Sequence, residues 1–296
     1  MTAALHIDHP LVVVNDIETT AASFRALGFN TAPTGYHPWG TSTSLVMFPR
    51  SAIEIMSIHD TSLLDSHAIG SFAFGRHMAQ ALSEREGITL AALYSEDAAA
   101  DRRRLEANGL PCQGRVDFRR RVRIPGHDWD EAVVSLEIFY DPALPRASNF
   151  LCQQHRPELI WVPQWMQHPN GATGFASHTY AAVDPDRLAD RFRRIFGNAT
   201  THRTDTGYRI ETGRGHIHIR PPGQWSREIG LPDEPMIAPA DAACIAMEVI
   251  VPDLLLLRDL LDRNGVTYVE EADGISITGF APYGNTIIRF VRSPGQ

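Results

Sequence analysis

The sequence predicts an α+β protein of two domains, each built from paired βαβββ modules whose mixed β-sheet encloses a cleft. Three observations carry this. A chain of 296 residues is too long for one small domain and suits two of ordinary size. A strand, a helix, a glycine and a further strand recur in that order four times. Between the second and third recurrence lies a stretch rich in Gln, Pro and Trp, which reads as a connection.

The elements follow in order. Ile7 to Asp16 reads as a buried strand ending in a turn, and Ile17 to Leu27 has apolar residues at helical spacing, closed by Gly28 as a C-cap. Strands are expected over Asn30 to Tyr36, Thr43 to Phe48 and Ala52 to Ile58. The second module has a strand at Ile88 to Ser95, a helix at Ala98 to Asn108 closed by Gly109, and strands at Gln113 to Ile124 and Glu131 to Tyr140. The third runs from His178 to Val183 through the helix Pro185 to Phe196 and Gly197, then Gly207 to Glu211 and His216 to Ile219. The fourth begins at Cys244 to Val251, has its helix at Leu254 to Asn264 before Gly265, and ends near Asn285 to Val291. The steps ALGFN, EANGLP, RIFGN and DRNGVT echo one another most clearly. The expected division is residues 1–150 for modules one and two, 151–174 for the connector and 175–296 for modules three and four.

Composition narrows the function classes. Hydrophobic residues at 43% and charged ones at 21% describe a globular chain. No apolar run approaches the roughly 20 residues that span a bilayer. Met1 to Pro10 lacks the basic and apolar regions of a signal peptide, so the expected location is cytoplasmic. The three cysteines, Cys112, Cys152 and Cys244, stand alone, which excludes a disulfide scaffold or a Cys-rich zinc module. A net charge of −8 argues against nucleic acid or an anionic membrane as partner. All 27 basic residues are arginine, which removes Schiff-base chemistry, lysine bases and the P-loop lysine. Thirteen histidines, by contrast, supply groups suited to metals and to acid–base work near neutrality.

The opening IDHPLVVVNDIETTAASFRALGF, the stretch GYHPWGTSTSLVMF, the strand AIEIMSI and CQQHRPELIWVPQW with HPNGA after the second module carry a family resemblance. On these residues the chain resembles the vicinal-oxygen-chelate superfamily and its glyoxalase-like members, relatives of the bleomycin-resistance proteins and extradiol dioxygenases. The match runs from Leu5 to about Gly174; the second half shares the module order but few signature residues. In that superfamily a divalent ion sits inside the cleft, held from the first and last strands of paired modules. The resemblance places His9 at the first-strand position, Glu54 at the last strand of module one and Glu137 at its counterpart in module two. Carboxylates flanked by aliphatic residues are costly to bury unless paired or metal-bound. The fourth position falls on Leu90, which binds no metal. One imidazole and two carboxylates would suit Zn, Mn, Ni, Mg or Fe(II). The competing arrangement has His9 capping a turn and the glutamates meeting arginines.

Other residues form secondary candidates. His37 opens the loop His37-Pro38-Trp39-Gly40-Thr41, which matches the family's H-x-x-G-T pattern and offers an acid or base at the cleft mouth; a plain turn is the alternative. His155, His168, Trp161, Trp165 and Asn170 make a connector suited to stacking on and hydrogen-bonding a small organic ligand, or to anchoring one domain on the other. Alternation puts Arg119, Arg121 and Arg123 on one face, where they could meet an anionic substrate or solvent. In the second half His178, His216, His218 and Glu248 suggest a two-histidine, one-carboxylate iron site.

Two functions follow from the resemblance. One is a metal-dependent enzyme of lyase or isomerase type that chelates two adjacent substrate oxygens and transfers a proton, with Glu54 or Glu137 as base; extradiol-type oxygen chemistry uses the same chelate. The other is a non-catalytic drug- or metabolite-binding protein, which the leucine at position 90 favours. A small-molecule substrate is the expected partner, and a homodimer is left open.

Overall fold

The computed structural model describes residues 5–233, Pro235 and residues 242–293. In the first half, β1 (Ile7–Val13), α1 (Ile17–Ala26), β2 (Gly35–Tyr36), β3 (Thr41–Phe48) and β4 (Ser51–Ile58) form one module. The next comprises β5 (Gly87–Tyr94), α3 (Ala98–Ala107), β6 (Gly114–Arg123), β7 (Trp129–Phe139) and β8 (Asn149–Gln154), with α2 (Phe74–Glu84) between the two. The eight strands make one mixed sheet in the order β2-β3-β4-β1-β5-β8-β7-β6. β1 and β5 pair antiparallel at its centre, and each runs parallel to the last strand of its own module.

The second half repeats this arrangement. Its elements are β9 (Gly174–Ala182), α4 (Pro185–Phe196), β10 (Thr201–Thr204), β11 (Gly207–Glu211), β12 (His216–Arg220) and α5 (Gln224–Glu228). They continue with β13 (Ala242–Val251), α6 (Leu254–Arg263), β14 (Tyr268–Glu270), β15 (Gly274–Ile277) and β16 (Ile287–Arg292). The sheet order β10-β11-β12-β9-β13-β16-β15-β14 is that of the first sheet.

One device starts the helix of every module. Asp16, Asp97, Asp184 and Asp253 each accept hydrogen bonds from first-turn backbone N–H groups, an N-cap worth about 1 kcal/mol. Positive φ at Gly28, Gly109 and Gly265 then turns the chain out of the helix. The helix-bearing faces of the two sheets share a single core in which Phe24, Phe29, Phe192 and Phe290 are fully buried, Phe29 stacking on Phe290 at 5.7 Å. The opposite face of each sheet carries its own apolar cluster.

The segments between repeats differ from the sequence reading. β8 is a further strand that runs through position 150 and closes the first sheet at Gln154, while β9 begins at Gly174. α2 and α5 occupy corresponding inter-module segments, and neither has an echo in the module pattern. Among the described residues no helix is long and apolar enough to cross a membrane.

Candidate functional site

The free face of the first sheet surrounds a cleft. Strand alternation selects what enters it. His9 and Leu11 come from β1, Glu54 and Met56 from β4, Phe118 and Arg120 from β6, Val134 and Leu136 from β7, Phe150 and Cys152 from β8. The walls are largely apolar; most polar groups gather near β1 and β4, with Arg120 on β6 and Gln154 on β8. A register shift between Ile7 and His9 leaves Asp8 as an extra residue in β1. Such a bulge turns a side chain out of strict alternation, so Asp8 lines the cleft beside His9.

Glu54 is the hub. One carboxylate oxygen faces His9 Nε2 at 3.2 Å; the other accepts the Thr43 hydroxyl at 2.7 Å and lies 3.7 Å from His37 Nε2. Asp8 is completely buried, and its oxygens accept no hydrogen bond among the described residues; the nearby cation is His9, whose Nδ1 is 3.5 Å away. Burial alone would discharge His9, but Asp8 and Glu54 on either side outweigh it and raise its pKa to about 10. Burial would likewise raise Glu54; the hydrogen bond and charge of His9, with His37 and Thr43, hold it at about 2. His37 goes the other way. Burial lowers it to about 4 against the pull of Glu54, so its ring is neutral near pH 7.

The loop that supplies His37 is fixed by its own turn. His37 N–H donates to the Thr41 carbonyl at 2.8 Å, and Nδ1 is 3.0 Å from the Thr41 hydroxyl. Gly40 has φ +80°, and a Cβ there would lie 2.1 Å from the Asp60 carbonyl, so only glycine fits the turn. Trp39 stacks on the imidazole at 4.8 Å, nearly parallel. His37 is therefore both held and neutral.

Glu137 requires a correction. On β7 the even-numbered Val134 and Leu136 face the cleft, which turns Glu137 to the helix side. There it meets Arg102 Nη1 at 3.1 Å, Arg115 Nη1 at 3.7 Å and Cys112 Sγ at 3.7 Å. The position in module two that corresponds to Glu54 is instead Phe150: Glu54 pairs with Leu11 on β1, and Phe150 pairs with the equivalent Ala92 on β5. With Leu90 also apolar, the second module offers no donor at either position. Among the described residues no group of three or more His, Cys, Asp or Glu side chains is arranged to hold a metal ion.

The connector divides between site and scaffold. Trp161 lines the cleft and Trp165 the neighbouring mouth. Asn170 is fully buried and holds the domains' chain path, donating to the Leu27 carbonyl and accepting from Ala172 N–H. His168 contacts the Met47 carbonyl and Asn30 N–H. His155 lies in a separate open groove, 2.7 Å from the Ser135 hydroxyl, away from the cleft lining. Of the arginines on β6, the inward-facing one is Arg120. Arg119 is exposed and pairs with Glu131, whereas Arg121 lies over the Trp129 ring at 4.6 Å and lines the mouth.

The second-domain iron constellation does not assemble. Thr179 pairs with His218, as Leu11 pairs with Glu54, so His218 does occupy the position equivalent to Glu54. The equivalent of His9, two residues before Thr179, is Ser177; His178 points to the other face, against Phe175. His216 pairs with Glu211 at 3.0 Å. Glu248 is bound by the Ser177 hydroxyl and by Arg289, which also contacts Glu271 and Asp273. Asp8, Arg120 and Phe150 were the site residues missed. Their signals are a bulge, an even-numbered arginine among odd ones, and an unrecognised strand.

A family model described as "Glyoxalase-like domain" matches residues 7–196. No curated protein matches the chain. Among solved structures, a hypothetical protein from Staphylococcus aureus is similar with a TM-score of 0.69 and 12% identity, over 98% of this chain and all of that one. A mutant of 4-hydroxymandelate synthase from Streptomyces coelicolor has a TM-score of 0.55 and 13% identity, over 100% of this chain and 94% of that one. A xylose isomerase-like TIM barrel/4-hydroxyphenylpyruvate dioxygenase fusion protein has a TM-score of 0.55 and 10% identity, over 99% of this chain and 50% of that one. At these identities the likeness is one of fold.

Proposed function

Because the chain belongs to the glyoxalase-like domain family across residues 7–196, we propose that its first domain is a small-molecule-binding cleft that works without a metal chelate. One observation carries this reading. The module-two positions that would face an ion across the cleft are Leu90 and Phe150, and the two donors left, His9 and Glu54, are paired to each other. The divalent ion implied by the family resemblance does not fit this donor set, and no reaction step is derived through one.

The cleft has the make-up of a binding site: apolar and aromatic walls with a few fixed polar groups. Phe118, Phe150 and Trp161 suit an aromatic or branched aliphatic body. The His9–Glu54 pair is held by Thr43 and Asp8, which keeps the polar end pre-formed. The neutral His37 presents Nε2 to a ligand's polar atom.

A second reading, metal-dependent proton transfer of the lyase or isomerase type, has one observation in its favour. The two imidazoles, His9 and His37, lie 3.2 and 3.7 Å from the two oxygens of Glu54. An ion there would have to displace the His9–Glu54 contact.

Metal analysis separates the two. Protein incubated with Zn, Mn, Ni, Mg or Fe(II) and then desalted is expected to hold sub-stoichiometric metal, with a melting midpoint indifferent to chelator. Stoichiometric metal that disappears in Glu54→Gln would overturn the binding-protein reading in favour of the second.

A further inference from the structure

The cleft has a mouth with a chemistry of its own. A neighbouring hollow shares Leu45, Met47, Arg120 and Ile160 with the cleft lining, so the two spaces adjoin. Arg120, Arg121 and Arg123 all line it, together with Trp129 and Trp165. Of the described residues lining this mouth, none is acidic. That stands out in a chain with a net charge of −8, where other arginines on and beside this sheet have carboxylate partners. Arg119 pairs with Glu131, Arg115 with Asp117 and Arg102 with Glu137. By contrast, Arg121 lies over Trp129 and Arg123 donates to the His127 carbonyl at 3.3 Å. The Arg120 guanidinium lies against the backbone at Gly35, where an added Cβ would meet Nη1 at 3.0 Å.

From this placement we infer that the mouth is the subsite for the anionic end of an elongated ligand, a carboxylate or phosphate monoester on an aromatic or aliphatic body that extends inward towards Glu54 and His37. The inference rests on the binding-cleft reading above and adds the ligand's class and orientation. Guanidinium groups recognise carboxylate and phosphate oxygens through paired hydrogen bonds, and stacking on a tryptophan holds such a group in place. The charge arrangement also fixes direction. At the inner end Asp8 and Glu54 outnumber the protonated His9 and leave a net negative charge, whereas the mouth carries three guanidiniums and attracts an anion, so the ligand enters body first. Arg120 stands where the two spaces join.

The test uses the full chain and three probes: 4-phenylbutyrate, its uncharged amide, and inorganic phosphate. Titration calorimetry at low salt is expected to give a carboxylate that binds about tenfold or more tighter than the amide, a difference of about 1.4 kcal/mol or more. That ratio is expected to fall with rising salt. In Arg120→Gln and in Arg121→Gln the ratio is expected to drop towards one. Glu54→Gln serves as the control for the underlying reading, because it alters the inner end and is expected to keep the carboxylate preference. Equal binding of carboxylate and amide by the unmodified protein overturns the inference, as does a preference that survives both arginine changes. Phosphate binding alone, with no gain from the phenylalkyl body, likewise overturns it. Stoichiometric metal would defeat the binding-protein reading without touching the arginine result, so the two failures are distinguishable.

Discussion

The two sheets have the same strand order and the same cap residues, yet their free faces are put to different uses. At equivalent positions the first has His9, Glu54, Leu90 and Phe150, and the second has Ser177, His218, Ala246 and Arg289. In the first, one small ionic cluster sits at β1 and β4, Arg120 enters from β6, and most of the remaining face is open and apolar. In the second, Arg289 crosses the face to Glu248, Glu271 and Asp273, and Trp225 of α5 stacks on His218 at 6.0 Å. A duplicated fold therefore leaves one face open and fills the other with its own side chains. What decides between them is whether the charges on the face are satisfied from within.

That contrast is broken most severely at Arg289. Replacing it with Met would leave Glu248 and Glu271 in the interior without their cation, and removing one partner of a buried pair costs about 3–5 kcal/mol. Urea unfolding of Arg289→Met is expected to show a loss of that size, with binding to the first-domain cleft preserved in the folded protein. A loss under about 1 kcal/mol would mean the network is a surface feature of the kind that contributes little.

The first face is expected to respond to pH in both directions, whereas on the second His218, lowered to about 4 chiefly by burial, responds only as the pH falls. The pKa of His9 is raised from 6.5 to about 10 by Asp8 and Glu54 against burial, so its ion pairs stabilise fully below pH 6.5 and lose that contribution as the pH rises through about 10. His37 has the opposite sign: its pKa, lowered to about 4, makes its burial a growing cost as the pH falls from 6.5 towards 4. The groups facing His9 are Asp8, Glu54 and, across Glu54, His37. With each unit of displacement worth about 1.4 kcal/mol, the stability deficit of His9→Gln is expected to shrink by on the order of 4 kcal/mol between pH 6.5 and pH 10.5. A deficit that stays constant across this range would show that His9 is held by packing alone.

Much of this was legible in the residues, and the exceptions have a common cause. The aspartate before each helix and the glycine after it act locally, so they reveal the modules. His9 and Glu54 were legible because β1 and β4 are bounded by clear turns. Asn149–Gln154 has only Phe150, Leu151 and Cys152 apolar, between polar residues and without alternation, and so reads as part of the connector; β7 then stands in for the module's last strand. Both faces of β7 are buried near Glu137, so aliphatic neighbours on either side of the glutamate say nothing about which face it takes. His178 fails by one residue for the same reason: on a strand buried on both sides, a slip of one exchanges the faces. Asp8 depends on a bulge, which no periodicity announces. α2 and α5 lie between repeats, where no echo exists to find them.

The smallest expected effect is also the sharpest check on the face assignment. Glu137 is almost fully buried, but its partners Arg102 and Arg115 are each more than a third exposed, so water screens the pairs and stays available to the arginines when the carboxylate is lost. Glu137→Gln keeps the shape and a hydrogen-bonding oxygen for Arg102, and the expected loss of stability is about 1 kcal/mol. Because the side chain lies on the helix side of the sheet, binding of a carboxylate probe in the cleft should be unchanged. Glu54→Gln differs in kind: it removes the charge facing His9 and leaves a neutral amide beside His37 at the inner end of the cleft. Probe affinity is therefore expected to shift in Glu54→Gln and to stay put in Glu137→Gln, measured by titration side by side. If both change it to the same degree, the two glutamates share a face and the four-position chelate returns to consideration.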